Sequence, residues 1–77
     1  MSIREVFARN LRKARHLKGL SQETLAYEAG IDRTYVSALE RGVYGATIDM
    51  VEKLAKVLDV EPNSLLLRSG KMRTRKS

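Results

Sequence analysis

Apolar residues recur along the chain at three- and four-residue intervals, broken by glycines and by hydroxyl or carboxylate side chains. That spacing places them on one face of a helix. Phe7, Leu11, Ala14 and Leu17 form a first stripe. It starts behind Ser2, with Glu5 three residues on, which is the pattern of a capping box, and ends before Gly19. Leu25, Ala26 and Ala29 form a second stripe between the cap Ser21 and the stop Gly30. Val36 and Leu39 mark a third helix, from about Arg33 to Arg41, capped by Asp32 and stopped by Gly42. Thr47 opens a fourth, with Ile48, Val51, Leu54, Ala55 and Leu58 at helical spacing. Pro62 suits the first turn of a short fifth helix. The nearest approach to a strand, Val57-Leu58-Asp59-Val60, fits the end of helix four better. The predicted class is all-α, with five helices.

The segment from Ser21 to Gly42 is the most informative. Ala26 is small, so the following helix can cross close above it. Gly30 suits the left-handed position that ends a helix, Ile31 plugs the corner, and Asp32 caps the next helix. Two short helices joined in this way form the helix-turn-helix of DNA-binding proteins, predicted here with helices two and three as its pair. At about 100° per residue, Val36 and Leu39 point inward together. Thr34, Ser37, Ala38 and Arg41 point the opposite way, and Arg33 and Tyr35 lie on the flanks. An uncharged, hydrogen-bonding edge bracketed by arginines suits a helix lying in a major groove.

Seventy-seven residues allow one domain with a modest core, so packing must be efficient or a second subunit must help. At 43% hydrophobic and 31% charged, the composition is that of an ordinary soluble globular protein. No apolar run approaches the roughly 18 residues needed to span a membrane, and the start lacks a signal-peptide core. Without cysteine there is neither a disulfide framework nor a thiolate metal site, and a cytoplasmic location is expected. The net charge of +6 favours a polyanionic partner. Arg4, Arg9, Arg12, Lys13, Arg15 and Lys18 crowd the first 18 residues against one acid, Glu5. Lys71, Arg73, Arg75 and Lys76 lie in residues 69–77, which read as a basic, disordered tail behind a DNA-binding and dimerisation domain of residues 1–68. Leu65, Leu66 and Leu67, with Val60, offer more apolar surface than one short helix can bury in its own domain. They are the expected dimer interface.

Catalytic chemistry finds no support. His16 is the sole histidine, and no nucleophile–base pair or metal-ligand spacing accompanies it. The glycines at 42 and 45 have no following Lys-Ser/Thr, so they do not form a nucleotide loop. No cofactor, metal or small-molecule ligand is expected.

The residues resemble the phage-repressor (Cro-like) class of helix-turn-helix regulators over about residues 5–67. The matching segments are Leu11-Arg12-Lys13-Ala14-Arg15, Gly19-Leu20-Ser21-Gln22-Glu23, Leu25-Ala26, Leu39-Glu40-Arg41-Gly42 and Leu54-Ala55-Lys56-Val57-Leu58-Asp59-Val60. Within that class, Asp32-Arg33-Thr34-Tyr35-Val36-Ser37 looks most like the small controller proteins of restriction–modification systems, short five-helix dimers without a ligand domain. The resemblance implies that Gln22 clamps a phosphate and that Arg33, Thr34, Ser37 and Ala38 read bases. It also implies that Tyr35 packs against DNA and that Arg15 and Glu40 tie helix one to the recognition helix. Ala46 departs from the proline that many members carry before helix four.

Arg41 and Tyr44 are further backbone-contact candidates. Ala38 is either a plain helix former or a methyl contact to thymine. The expected function is a homodimeric, sequence-specific transcriptional regulator on double-stranded DNA with two half-sites. Repression by occlusion is its simplest output. Activation would add RNA polymerase as a partner, through a surface the sequence does not identify. The competing expectation is an antitoxin that neutralises a partner toxin and also binds DNA, although only the short tail is available for such a partner.

Overall fold

A computed structural model describes residues 1–75. Its elements are α1 (Ile3–Lys18), α2 (Gln22–Ala29), α3 (Arg33–Glu40), α4 (Ile48–Leu58) and a 3-10 helix at Pro62–Leu66. Each α-helix opens on a polar side chain that satisfies an orphaned amide. Ser2 and Glu5 complete the reciprocal capping box, while Ser21, Asp32 and Thr47 accept from the amides of Thr24, Thr34 and Met50. The fifth element is a single 3-10 stretch rather than an α-helix. It has five residues, Pro62 in its first turn and no side-chain cap, too little to sustain an α-helix.

Leu11, Leu25, Val36, Leu39, Leu54 and Leu65 are fully buried and come from all five elements. Each contributes roughly 1.5–3 kcal/mol of hydrophobic burial. α3 packs on α1 and α2, and α4 closes the other side of α2. Ala26 is buried in this core. At the corner, Gly30 takes φ 69°, and its amide donates to the Tyr27 carbonyl.

Two residues of the expected stripes lie outside. Leu17 is 69% exposed, in the last turn of α1, and Ile48 is 87% exposed, at the first position of α4 before that helix reaches the core at Val51. On α1 the buried face is instead Val6, Phe7, Asn10, Leu11 and Ala14. Asn10 is the polar member of that face, and its amide nitrogen donates to the carbonyls of Ser64, Leu65 and Leu67 at 3.3, 3.1 and 2.8 Å. One side chain thereby fixes the 3-10 helix onto α1.

Residues 70–75 depart from the disordered tail that composition predicts. The Glu61 amide donates to the Arg73 carbonyl at 2.7 Å, and the Arg75 amide donates to the Asp59 carbonyl at 3.1 Å. Between them Val60 and Thr74 form an antiparallel bridge. The Arg73 amide donates to Ser64 Oγ, Lys13 Nζ donates to the Gly70 carbonyl, and Met72 packs against the core. Main-chain pairing and one apolar side chain hold a segment whose charges suggested none. Lys76 lies outside the described residues. The dimer expectation also changes, because Val60 and Leu65 are buried in the chain's own core. Leu66 is exposed and Leu67 half-buried.

Candidate nucleic-acid interface

α3 and its C-cap Arg41 present Arg33, Thr34 and Arg41 to the exterior with Ser37 half-buried between them, and Val36 and Leu39 are fully buried behind them. Arg33, Ser37 and Arg41 follow one another at four-residue steps, so they share a face. Asp32 sets the start of this row. Its Oδ1 accepts from the Thr34 amide at 2.9 Å and from the Thr34 hydroxyl at 2.7 Å. These bonds, the hydroxyl's first, hold the Asp32 carboxyl below the usual carboxylate range. Ser37 Oγ accepts a long bond of 3.4 Å from Arg41 Nε. Ala38, expected on the outer edge, is 4% exposed. The Val43 amide donates to the Ala38 carbonyl where the helix ends. Its methyl is withdrawn from the surface.

At the N-terminal end of α3, a cleft of about 320 Å³ is lined by Arg15, Ser21, Gln22, Glu23 and Arg33. Its Arg15 is held by an ion pair with Glu40, the last residue of α3. Arg15 Nε donates to Glu40 Oε2 at 2.6 Å, and Nη2 donates to Oε1 at 2.9 Å. Arg15 Nη1 reaches the Leu20 carbonyl, and Gln22 Nε2 adds a bond of 3.1 Å to Glu40 Oε1. The hydrogen bond to Glu40 outweighs burial and raises the Arg15 pKa. Gln22 begins α2, whose first amides are free to meet an anion. The cleft thus joins two guanidiniums, an amide and a helix N-terminus.

Tyr35 and Tyr44 lie together, ring centroids 6.5 Å apart and tilted by 47°. Tyr35 is half-buried and Tyr44 exposed. The loop after α3 is therefore braced on α3 by an aromatic pair.

Several cations of α1 also bond main-chain carbonyls. Arg4 Nη1 reaches the Val43 carbonyl, Arg12 Nη1 the Glu40 carbonyl and Arg9 Nη2 the Leu67 and Arg68 carbonyls. Sequence reading missed these stitches, and it missed Asn10. A signal for Asn10 was present, since it sits four residues after Val6 and three after Phe7, on the apolar face of its helix.

Residues 11–65 match the helix-turn-helix family. The chain belongs to that family. This helix-turn-helix protein is a DNA-binding transcriptional regulator and not an enzyme. It is 42% identical over 66 residues to the control protein C.BamHI of Bacillus amyloliquefaciens, covering 84% of this chain and 82% of that protein. Its fold is similar to the restriction–modification controller C.AhdI from Aeromonas hydrophila, with TM-score 0.77, 47% identity, and coverage of 80% of this chain and 94% of that one. It is also similar to the controller C.Esp1396I, solved as a tetramer with its natural 35 base-pair operator, with TM-score 0.76, 34% identity, and coverage of 84% and 86%. Among the described residues, no helix is long and apolar enough to cross a membrane, and no cluster of His, Cys, Asp and Glu could hold a metal ion.

Proposed function

We propose that this chain is the controller of a restriction–modification system, a homodimer that reads a two-half-site operator with α3 in the major groove. The observation that carries the reading is the row of exposed Arg33 and Thr34 and half-buried Ser37, beginning at the cleft that Arg15, Gln22 and Arg33 line. Arg33, Thr34, Ser37 and Tyr35 read bases. Gln22, Arg41 and Tyr44 meet phosphates. Glu40 positions Arg15 and Gln22 without touching DNA. The similarity to C.BamHI, C.AhdI and C.Esp1396I supports the controller assignment.

Dimerisation uses the groove that Ile3, Phe7, Ala46, Val51 and Leu66 line together with Gly45 and the charged Arg4. Ile3 and Leu66 are its exposed apolar members, and a two-fold dimer sets the same patch of each subunit against the other. Control comes from protein concentration and operator affinity, with RNA polymerase a partner only where the regulator activates.

Selection of bound duplexes from a random library tests the proposal. Two related half-sites about one helical turn apart, roughly 10 base pairs centre to centre, are expected. Enrichment of a single half-site, with a monomer in sedimentation, would overturn the dimeric reading. Enrichment of nothing would overturn sequence-specific binding itself.

A further inference from the structure

Among the described residues, Tyr44, Gly45 and Ala46 make no main-chain hydrogen bond. The Gly42 and Val43 amides still donate to the Leu39 and Ala38 carbonyls of α3, and the next such bond, from the Val51 amide to the Thr47 carbonyl, already opens α4. The span between them nevertheless carries Tyr44 to the ring of Tyr35 on α3. A loop without main-chain bonds needs another restraint to keep an aromatic ring in one place.

Arg4 supplies one from the first turn of α1. Its Nη1 donates a long bond of 3.4 Å to the Val43 carbonyl. A Cβ on Gly45 would lie 3.3 Å from Arg4 Nε and 3.4 Å from Nη2. The guanidinium therefore rests against the bare main chain at Gly45, and a side chain there would push it away. Its place in the helix gives no competing reason for this arginine, since a cation in the first turn opposes the helix dipole.

The same side chain lines the groove proposed for dimerisation, a space of about 230 Å³ with Ile3 and Leu66 as its exposed apolar members. In the single chain Arg4 is exposed, so water competes for its bond to the Val43 carbonyl. A second copy seated on the groove removes that water, and a hydrogen bond strengthens as the local dielectric falls.

We propose that Arg4 is a positioning residue that couples dimerisation to base reading. Covered by the second copy, it fixes residues 43–45, and Tyr44 then holds the Tyr35 ring in place for the DNA. The contacts run from the groove to Arg4, from Arg4 to Val43 and Gly45, and from Tyr44 to Tyr35. Arg4 itself touches no DNA. A subunit within a dimer thereby reads its half-site better than the same subunit alone. The proposal rests on the dimeric reading and on α3 as the base-reading helix.

The test uses the full chain and the duplex enriched by selection. Sedimentation gives the dimer dissociation constant of each variant, so that DNA affinity is expressed per dimer. Arg4→Gln should lower that affinity roughly three- to tenfold, the worth of one hydrogen bond. Arg4→Lys should fail likewise, because an ammonium lacks the planar face that lies along Gly45. Gly45→Ala should give a similar loss and add little to Arg4→Gln, and Arg4→Gln should have no further effect in a Tyr44→Ala background. Nuclear Overhauser contacts between the Tyr35 and Tyr44 rings should be present in the wild-type dimer, lost in Arg4→Gln and weakened in Leu66→Glu.

Wild-type affinity per dimer in Arg4→Gln, or effects additive with Tyr44→Ala, would overturn the positioning role. So would rescue by Arg4→Lys together with a salt slope flattened by about 0.9 in Arg4→Gln, which would put Arg4 on a phosphate. Unchanged ring contacts in a monomeric Leu66→Glu would overturn the coupling to dimerisation. If Arg4→Gln does not fold, Gly45→Ala decides by the same measurements. A wild type that is monomeric, or that prefers no duplex, would instead defeat the readings on which the proposal rests.

Discussion

Glu40 receives Arg15 through both carboxylate oxygens, at 2.6 and 2.9 Å, where α1 meets the end of α3. The Glu40 side chain is 3% exposed and that of Arg15 11%. Removing either leaves the other charge buried and unpaired, which typically costs about 3–5 kcal/mol. The double replacement Arg15→Met with Glu40→Leu should cost far less than the two singles combined. A double-mutant cycle on urea unfolding checks this, and additive effects would show that the pair contributes no coupling.

Arg33 and Gln22 line one cleft but should fail differently. Arg33→Ala is expected to cost roughly 1–3 kcal/mol and to relax preference at one or two base pairs. Gln22→Ala removes a phosphate contact and the bond to Glu40 Oε1, so it should weaken all sequences about equally. Binding matrices for the two variants decide the assignment. Unchanged preferences in Arg33→Ala would remove it from the base-reading set.

The caps of the four α-helices and most of their inward faces were legible because each depends on neighbours within one turn: Ser2 with Glu5, Asp32 with Thr34, Val36 with Leu39. The Arg15–Glu40 pair was legible only through family resemblance, since 25 residues separate its partners. Ala38 was placed on the outer edge because helical geometry gives a side chain's direction and not its exposure, which is 4%. The tail was misread because composition records charge, while Arg73 and Arg75 are held by their main-chain groups. The clustering of basic residues in α1 was legible, but not that Arg4, Arg9 and Lys13 bond carbonyls far along the chain.

Leu65 and Leu66 are neighbours with opposite expected phenotypes. Leu65 is fully buried and Leu66 is 40% exposed. Leu65→Ala should cost about 2–5 kcal/mol of folding stability through the cavity it leaves. Leu66→Glu should leave the monomer folded and shift sedimentation toward it, with a matching loss of operator affinity. An unchanged dimer in Leu66→Glu would move the interface away from the Ile3–Leu66 groove.

Asp32 should retain its charge at lower pH than an ordinary aspartate, because the Thr34 hydroxyl and amide both bond to the charged form. The folded value lies below the unfolded one. The stabilisation is therefore present above the unfolded value, about 3.9, and is lost as pH falls through the folded value. Carboxyl chemical shifts across an acid titration should give Asp32 a depressed midpoint, and Thr34→Ala should bring it back toward the ordinary range. An ordinary midpoint in the wild type would mean that Thr34 is not held by Asp32 in solution.

The C-terminal segment separates charge from structure. From charge alone, deletion of residues 69–77 should flatten the salt dependence of DNA binding and leave stability untouched. The structure adds a second effect. Deletion removes the Glu61–Arg73 and Asp59–Arg75 main-chain bonds, the Ser64 contact, the Lys13–Gly70 bond and the packing of Met72. With each net hydrogen bond worth about 0.5–1.5 kcal/mol, and ordering entropy set against them, the truncated chain should lose about 1–3 kcal/mol and melt at lower temperature. The variant Lys71→Gln with Arg73→Gln and Arg75→Gln keeps every one of those main-chain bonds. It should therefore flatten the salt slope at nearly wild-type Tm, while leaving the preferred sequence unchanged. Equal melting temperatures for the truncated and full-length chains would show that the strap contributes no net stability. A wild-type salt slope in the triple variant would show that its charges do not meet DNA.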